Sequence, residues 1–321
     1  MSTPTLQALV YNIRHEANSI ISVEFRPATP DISFPAFEAG SHIDLHLGNG
    51  LTRSYSLVNA VTDHQRYVVG VLNDQKSRGG SRYVHEQLRV GTTLAISAPR
   101  NNFRLVETAE HNVLLAGGIG VTPIVCMLQR LAVLGKQVNF IYCARSRQEA
   151  AFLAGIESFA SEKIRLHLHF NDEQGHSPDL KLMLAGHFSD THLYCCGPTR
   201  MLDAFEETCQ AMGYVNAHVE RFSVAHAAAP STLEGYEVEL RKSGKTVQVP
   251  AGSSLLDALL NAGMTPNHSC RDGLCGACET KILSGEAEHH DSILTKEEQA
   301  ANKSMMICVS RCRRGPLVLD M

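Results

Sequence analysis

The chain has no apolar run approaching the ~18 residues a membrane-spanning helix needs, so no such helix is expected. It has no surplus of positive charge: 29 Lys and Arg face 33 Asp and Glu, a net charge of −4, so nothing suggests general nucleic-acid affinity. Its start, Met1 to Gln7, shows neither the basic segment nor the apolar stretch of a secretory leader, so secretion is not expected. Internal repeats and low-complexity tracts are missing too. What is there is ordinary for a folded protein: 321 residues, 44% hydrophobic and 19% charged. That length has room for roughly two or three domains.

Another absence concerns the cysteines. No second C-x2-C unit partners the one at Cys275–Cys278, as a zinc site would usually require. Instead Cys270, Cys275 and Cys278 read C-x4-C-x2-C, and Cys308 follows after 29 intervening residues. That is the spacing of a plant-type [2Fe–2S] loop. Three thiolates come from a tight loop and a distant strand supplies the fourth. Gly273 and Gly276 suit the loop, since glycine accepts positive φ and lets backbone N–H groups approach sulfur. Cys312, four residues past Cys308, is a competing fourth ligand. Cys126, Cys143, Cys195, Cys196 and Cys209 sit in apolar runs and read as small core residues. Ten cysteines, four of them committed to a cluster, fit a reducing cytoplasm better than a disulfide scaffold.

Three segments follow one another. Residues 1–104 carry short strands at Ile20–Phe25, His42–Leu47, Arg53–Leu57, Tyr67–Leu72 and Thr93–Ser97, with a hairpin signal at Gly48-Asn49-Gly50 and one helix at Ser81–Leu88. A small antiparallel β-barrel is expected. In residues 105–225, strand-length apolar runs at Asn112–Ala116, Val138–Cys143, Ile164–Phe170 and His192–Cys196 are separated in part by helical stretches at Pro123–Leu134 and Arg200–Met212. That alternation predicts an α/β domain with a parallel sheet. Small residues and Pro230 at 226–234 read as a linker. Residues 235–321 hold a strand (Tyr236–Leu240), a helix (Ser254–Ala262), the cysteine loop, and closing strands near Met305–Cys308 and Leu317–Leu319. These suit a small α+β, β-grasp-like fold.

Several motifs carry chemistry. Gly117-Gly118-Ile119-Gly120-Val121-Thr122-Pro123 follows a strand and opens a helix, where glycines admit a pyrophosphate and the helix N-terminus favours its charge. Pro123 suits a first helical turn. Arg53-Ser54-Tyr55-Ser56-Leu57 can present a phosphate clamp beside a flat ring. Arg78-Gly79-Gly80-Ser81 is a second phosphate-type loop. Cys195-Cys196-Gly197-Pro198 ends a parallel strand, where ligands of open α/β sheets bind. Glu220-Arg221-Phe222 offers an acid and an aromatic. Arg145 and Arg147 follow a strand where charge can favour a 2′-phosphate, and Asp172 is a candidate ribose contact. Glu288-His289-His290-Asp291 looks metal-like, but adjacent loop residues rarely converge on one ion. Arg311, Arg313 and Arg314 read as a solvated face rather than a docking patch.

Together, RSYSL (53–57), RGGS (78–81), GGIGVTP (117–123), YCCGP (194–198), ERF (220–222), CRDGLCGAC (270–278), MMICVSR (305–311) and LVLD (317–320) resemble the phthalate dioxygenase reductase family, over essentially the whole chain and in the same order. The resemblance implies FMN on the barrel, NADH on the α/β domain and [2Fe–2S] at the C-terminus. It puts Arg53, Ser54, Tyr55 and Ser56 on FMN, with Gly79, Gly80 and Ser81 at its phosphate. Gly118, Gly120, Thr122 and Cys196 would line the nicotinamide side, with Arg145 and Asp172 toward the nucleotide's far end; NADPH stays open. Glu220 and Phe222 would sit by the flavin ring. Cys308, not Cys312, matches the fourth ligand. No acid–base catalytic residue is expected; Cys196 and Glu220 would shape the hydride-transfer environment. The implied acceptor is a Rieske-type terminal oxygenase. A cytochrome P450 acceptor, or a non-enzymatic electron carrier or redox sensor, is the alternative.

Overall fold

The computed structural model describes residues 5–75, 78–222 and 234–321. Contacts divide it into two compact units, Thr5–Arg221 and Phe222–Met321. Residues 226–233 of the expected linker, and the expected boundary at 225, lie outside the described residues.

The first unit holds two sheets. Strands β1 (Thr5–Ala17), β2 (Ile20–Pro27), β3 (His42–His46), β4 (Thr52–Ser56), β5 (Tyr67–Leu72) and β6 (Thr93–Ser97) form an antiparallel sheet in the order β4-β3-β6-β1-β2-β5. A bridge from Leu57 to Val69 joins its two ends and closes a barrel. Alternate residues such as Ile43, Leu45, Val69 and Ile96 point inward and are fully buried. Helix α1 (Gly80–Glu86) lies between β5 and β6. β1 was not among the expected strands. Its 13 residues carry register shifts at Val10/Asn12 and His15/Ala17, which break the two-residue alternation that betrays a strand.

The second sheet is parallel throughout. Strands β7 (His111–Gly117), β8 (Gln137–Ala144), β9 (Ile164–Phe170), β10 (His192–Cys196) and β11 (Ala217–Glu220) run in the order β11-β10-β7-β8-β9. The helices are α2 (Val121–Val133), α3 (Leu153–Glu157), α4 (Asn171–Gln174), α5 (Leu180–Met183) and α6 (Thr199–Met212). α2 is buried along most of its length and ties the two sheets together. Cys126 Sγ donates to Asn59 O at 3.3 Å and Gln129 Nε2 donates to Val58 O at 3.0 Å. A Cβ on Gly70 of β5 would stand 2.6 Å from the Thr122 methyl, so that strand needs glycine to meet the helix. Barrel and α2 thus share one apolar core, which fixes how the two sheets face each other.

The second unit is a mixed sheet of β12 (Tyr236–Leu240), β13 (Lys245–Val249), β14 (Glu279–Glu288), β15 (Ser304–Met306) and β16 (Arg311–Leu319), in the order β13-β12-β16-β14-β15. β12 and β16 are parallel; the other pairs are antiparallel. Helix α7 (Leu255–Asn261) is capped by Ser254 and buries Leu255, Leu256 and Leu259 in the unit's core. Helix α8 (Lys296–Ala301) opens on a capping box of Thr295 and Glu298. Among the described residues no helix is long and apolar enough to cross a membrane.

Candidate functional site

The residues expected at a flavin phosphate converge on the N-terminus of α1. Gly79, with φ of 92°, turns the chain into the helix. The Arg53 side chain lies across Gly80: a Cβ there would stand 2.5 Å from Arg53 Cγ and 2.7 Å from Nε. Arg53 Nη1 donates to Thr52 O at 2.8 Å, so the guanidinium is held close to the start of α1, where a cation suits a phosphate. Ser81 is nearly buried, and its hydroxyl accepts the Asp74 N–H at 3.3 Å. Tyr55, two residues from Arg53 on β4, is held neutral. Burial pushes its phenol up to about 12, with Arg53 pulling the other way.

Ser54 and Ser56 project from the opposite face of β4. Ser54 Oγ donates to Asp44 Oδ1 at 2.6 Å, and Arg100 Nη2 donates to Asp44 Oδ2 at 2.7 Å. Burial first, then the Arg100 charge, pushes the neighbouring His42 ring down to about 4, so it is neutral. Ser54 thus braces β4 against β3 through its hydroxyl donor. Sequence reasoning missed this polar network. Its one signal was the alternation His42-Ile43-Asp44-Leu45 along β3.

Ser56 reaches across to the parallel sheet, where its hydroxyl lies 3.4 Å from Glu220 Oε2. Glu220 pairs in register with Cys196 across β10 and β11. Three residues far apart in sequence so meet at the carboxyl ends of the parallel strands, facing the barrel. Burial pushes the Glu220 carboxyl from 4.5 up to about 8, with Ser56 acting weakly against it. Burial also pushes the Cys196 thiol well up, with the Glu220 charge adding to it. Both shifts favour the neutral forms of Glu220 and Cys196; Cys196 is fully buried, while Glu220 keeps partial exposure. Cys195 points the other way, into the core with Cys143, Leu202 and Cys209.

The glycine motif sits beside this corner, and its glycines do different work. A Cβ on Gly117 would meet Met201 Sδ at 2.6 Å, and one on Gly120 would meet Cys196 O at 2.2 Å. Both are packing glycines: Gly117 lets the end of β7 meet Pro198 and the α6 residue Met201, and Gly120 lets the loop touch β10. Gly118, with φ of 54°, has open space on its Cβ side, while its carbonyl accepts the Tyr142 hydroxyl at 3.3 Å. Thr122 is buried, and its hydroxyl donates to Ile119 O at 3.1 Å, closing the turn. At the far end of the sheet, Arg145 and Asp172 are both exposed, and the Asp172 N–H donates to Arg145 O at 3.0 Å. Arg147 is engaged with Glu173 at 3.1 Å and Glu157 at 3.7 Å, and its guanidinium lies 4.5 Å from the Phe170 ring centre. Phe222 is 42% exposed and belongs to the second unit.

In that unit the four expected cluster ligands are buried, between 2% and 9% exposed. They fall into two pairs. Cys270 N–H points at Cys275 Sγ at 3.5 Å, and Cys278 Sγ lies 3.2 Å from Cys308 Sγ. Within each pair one thiol is pushed down and the other up by their mutual hydrogen bond. The N–H groups of Asp272 and Leu274 point at Cys270 Sγ, at 3.3 and 3.5 Å. Among the described residues no three His, Cys, Asp or Glu side chains converge as a single-ion site. Two thiol pairs with amides aimed at sulfur fit a two-iron cluster better than one zinc ion. Cys312 Sγ instead donates to Gly315 O at 3.1 Å. In the EHHD run, Glu288 pairs with His290 and Asp291 with His289.

Comparison with known proteins agrees with this layout. Residues 114–207 match the oxidoreductase NAD-binding domain, and residues 238–313 match the 2Fe-2S iron-sulfur cluster binding domain. The chain is 42% identical over 312 residues to the phenoxybenzoate dioxygenase subunit beta of Ectopseudomonas oleovorans, covering 97% of this chain and 96% of that one. Its structure matches phthalate dioxygenase reductase with a TM-score of 0.71 and 30% identity, over 99% of this chain and 98% of that one. It also matches an intact type IV self-sufficient cytochrome P450 monooxygenase with a TM-score of 0.89 and 37% identity, and there it spans 41% of the longer chain.

Proposed function

The chain belongs to the phthalate dioxygenase reductase-like family of NAD(P)H-dependent flavin and iron–sulfur reductases of oxygenase systems, and we propose that its own route runs from NADH through FMN and a [2Fe–2S] cluster to a Rieske-type terminal oxygenase. The observation that carries this reading is the meeting of Ser56, Cys196 and Glu220 where barrel and parallel sheet face each other. A flavin accepts two electrons together and releases them one at a time, which matches a hydride donor to a cluster that takes single electrons.

The chain's own residues bind, orient and keep the site dry. Arg53 and the amides around Gly80 offer one phosphate cradle, which favours FMN over a dinucleotide. Gly118 exposes backbone to the nicotinamide nucleotide, while Cys196 and the protonated Glu220 remove charge from the hydride path. Asp172 and Glu173 at one strand end, with Arg147 already engaged by acids, favour NADH over its 2′-phosphate. Cys270, Cys275, Cys278 and Cys308 hold the cluster. The domains run 1–104, 105–225 and 235–321, with 226–234 as linker. None of the ten cysteines is paired in a disulfide, which suits a cytoplasmic setting.

A cytochrome P450 acceptor is the second reading, favoured by the likeness to the reductase-sized part of a self-sufficient P450. Two measurements test the proposal. Mass spectrometry of released cofactors should find FMN; FAD would overturn that assignment. Anaerobic NADH should bleach the flavin and then the cluster, and the reduced protein should reduce a Rieske oxygenase faster than a P450. Absence of bleaching would instead favour a non-enzymatic carrier.

A further inference from the structure

Asp291 lies between β14 and α8, outside the cysteine motif, and its side chain is wholly buried. Its Oδ2 accepts the N–H groups of Ile293 at 3.2 Å and Leu294 at 2.9 Å. Its Oδ1 accepts the Ser310 hydroxyl at 3.3 Å, and Ser310 Oγ in turn accepts the His290 N–H at 3.3 Å. The contacts reach both halves of the cysteine cage. Ser310 stands two residues past Cys308. On the other side, Gly273, midway through the three-cysteine loop, presses on Asp291: a Cβ there would stand 3.1 Å from Asp291 Cα and 2.7 Å from Val309 Cγ2. The next residue, Ser292, donates its N–H to Gly273 O at 3.0 Å. Both ring nitrogens of His289 are buried without a hydrogen-bond partner, and Nδ1 lies 3.6 Å from Asp291 Oδ1.

The local alternative is a turn brace for residues 291–294 and nothing more. Two features exceed that role. Ile293 and Leu294 are satisfied through Oδ2 alone, yet Oδ1 is turned to Ser310, at the end of the turn after β15 that carries the fourth ligand. The Asp291 backbone is also the surface on which the three-cysteine loop rests. We propose that Asp291 is a positioning residue for the cluster. It clamps the loop of Cys270, Cys275 and Cys278 to the turn of Cys308, and its buried carboxylate opposes the arrival of an electron and so holds the midpoint potential low. A negative charge in a poorly screened interior acts in that direction. This rests on the cluster assignment above.

The test uses the full chain with its cofactors and the variants Asp291→Asn and Ser310→Ala. Cluster content comes from visible absorbance and electron paramagnetic resonance, and the midpoint from a dye-coupled titration. Flavin bleaching by NADH serves as the folding control. Asp291→Asn should raise the midpoint, alter the resonance of the reduced cluster, and shorten the cluster's lifetime in chelator roughly ten-fold, the scale of one hydrogen bond to a charged group. Ser310→Ala, which keeps the charge, should shorten the lifetime and leave the midpoint near that of the parent. An unchanged midpoint and lifetime in Asp291→Asn overturns the proposal. If Asp291→Asn holds no cluster, Asp291→Glu decides: recovery with a low midpoint supports the role, and failure to recover rejects it. A parent protein without any cluster would sink the assignment of the cysteines instead.

Discussion

The cysteine cage and the flavin–nicotinamide corner are built on opposite principles. The cage draws three ligands from nine consecutive positions, and sulfur is the only donor type it uses. The corner draws Ser56, Cys196 and Glu220 from three strands of two sheets, and none of these residues announces a role by its type. In the cage the ligands are the function, so substitution is absolute. In the corner the function is an environment that favours neutral forms and that many side chains help to make. Single changes there should be graded.

The sharpest way to break the comparison is to remove a cage ligand. Cys308→Ser should lose the cluster completely, seen as loss of its visible absorbance, while NADH still bleaches the flavin. Cys312→Ser should keep both, since that thiol is spent on Gly315 O. Serine at 308 with a stable cluster would shift the fourth ligand elsewhere and make the cage as forgiving as the corner.

Next in size is the backbone of the corner. Gly120 has ordinary helical dihedrals, so alanine adds no backbone strain, but its methyl would stand 2.2 Å from Cys196 O. Gly120→Ala must push the loop off β10. We expect a loss of about 1–3 kcal/mol in stability, with weaker NADH binding, read by thermal melts and titration. Arg53→Ala leaves the fold intact and removes one charged bond to phosphate. Flavin affinity should fall about 10- to 100-fold, and full occupancy after gel filtration would count against the cradle.

The two regions also differ in how much of them the sequence disclosed. Spacing alone named the cage, because few chemistries need C-x4-C-x2-C with a distant fourth cysteine. The corner emerged only from motifs taken jointly and in order. Fold elements show the same divide. Strands β7 to β10 lie close to where continuous apolar runs placed them, whereas β1 hid behind two bulges. β14, rich in Glu, Lys and Ser, hid because one face of it is solvated and Gly285 interrupts it. Helix α8 was not among the expected helices: Thr295-x-x-Glu298 is a capping signature, but its short polar body offered no periodicity. Asp44 and Arg100, which support β4 through Ser54, are 56 residues apart, and no local pattern links them.

Smaller again is the effect of pH on the corner. Glu220 has a folded value near 8 against 4.5 for an ordinary glutamate, so the folded chain binds this proton more tightly than the unfolded one. The stability this confers is complete below about pH 4.5, declines as pH rises, and is gone above about 8. Glu220→Gln, uncharged at every pH, should flatten that slope. Its denaturant midpoint should match the parent near pH 4.5 and exceed it at pH 8.5. Parallel curves for the two proteins would mean that the carboxylate is charged and solvated in the corner.

The smallest expected effect lies at the far end of the nucleotide site. Asp172 is exposed, so its repulsion of a 2′-phosphate acts through water. Two unit charges about 4 Å apart interact by about 1 kcal/mol there. Arg147, the cation that could reverse the preference, is held by Glu157 and Glu173 and stacks on Phe170. Asp172→Ala should therefore narrow the NADH-to-NADPH ratio of kcat/KM by about five- to ten-fold without inverting it, and added salt should shrink the difference. Asp172→Ala combined with Glu173→Ala should move the ratio further, because it also releases Arg147. An unchanged ratio in the double variant would place nucleotide choice elsewhere, on contacts that, like those of the cage, do not grade with charge.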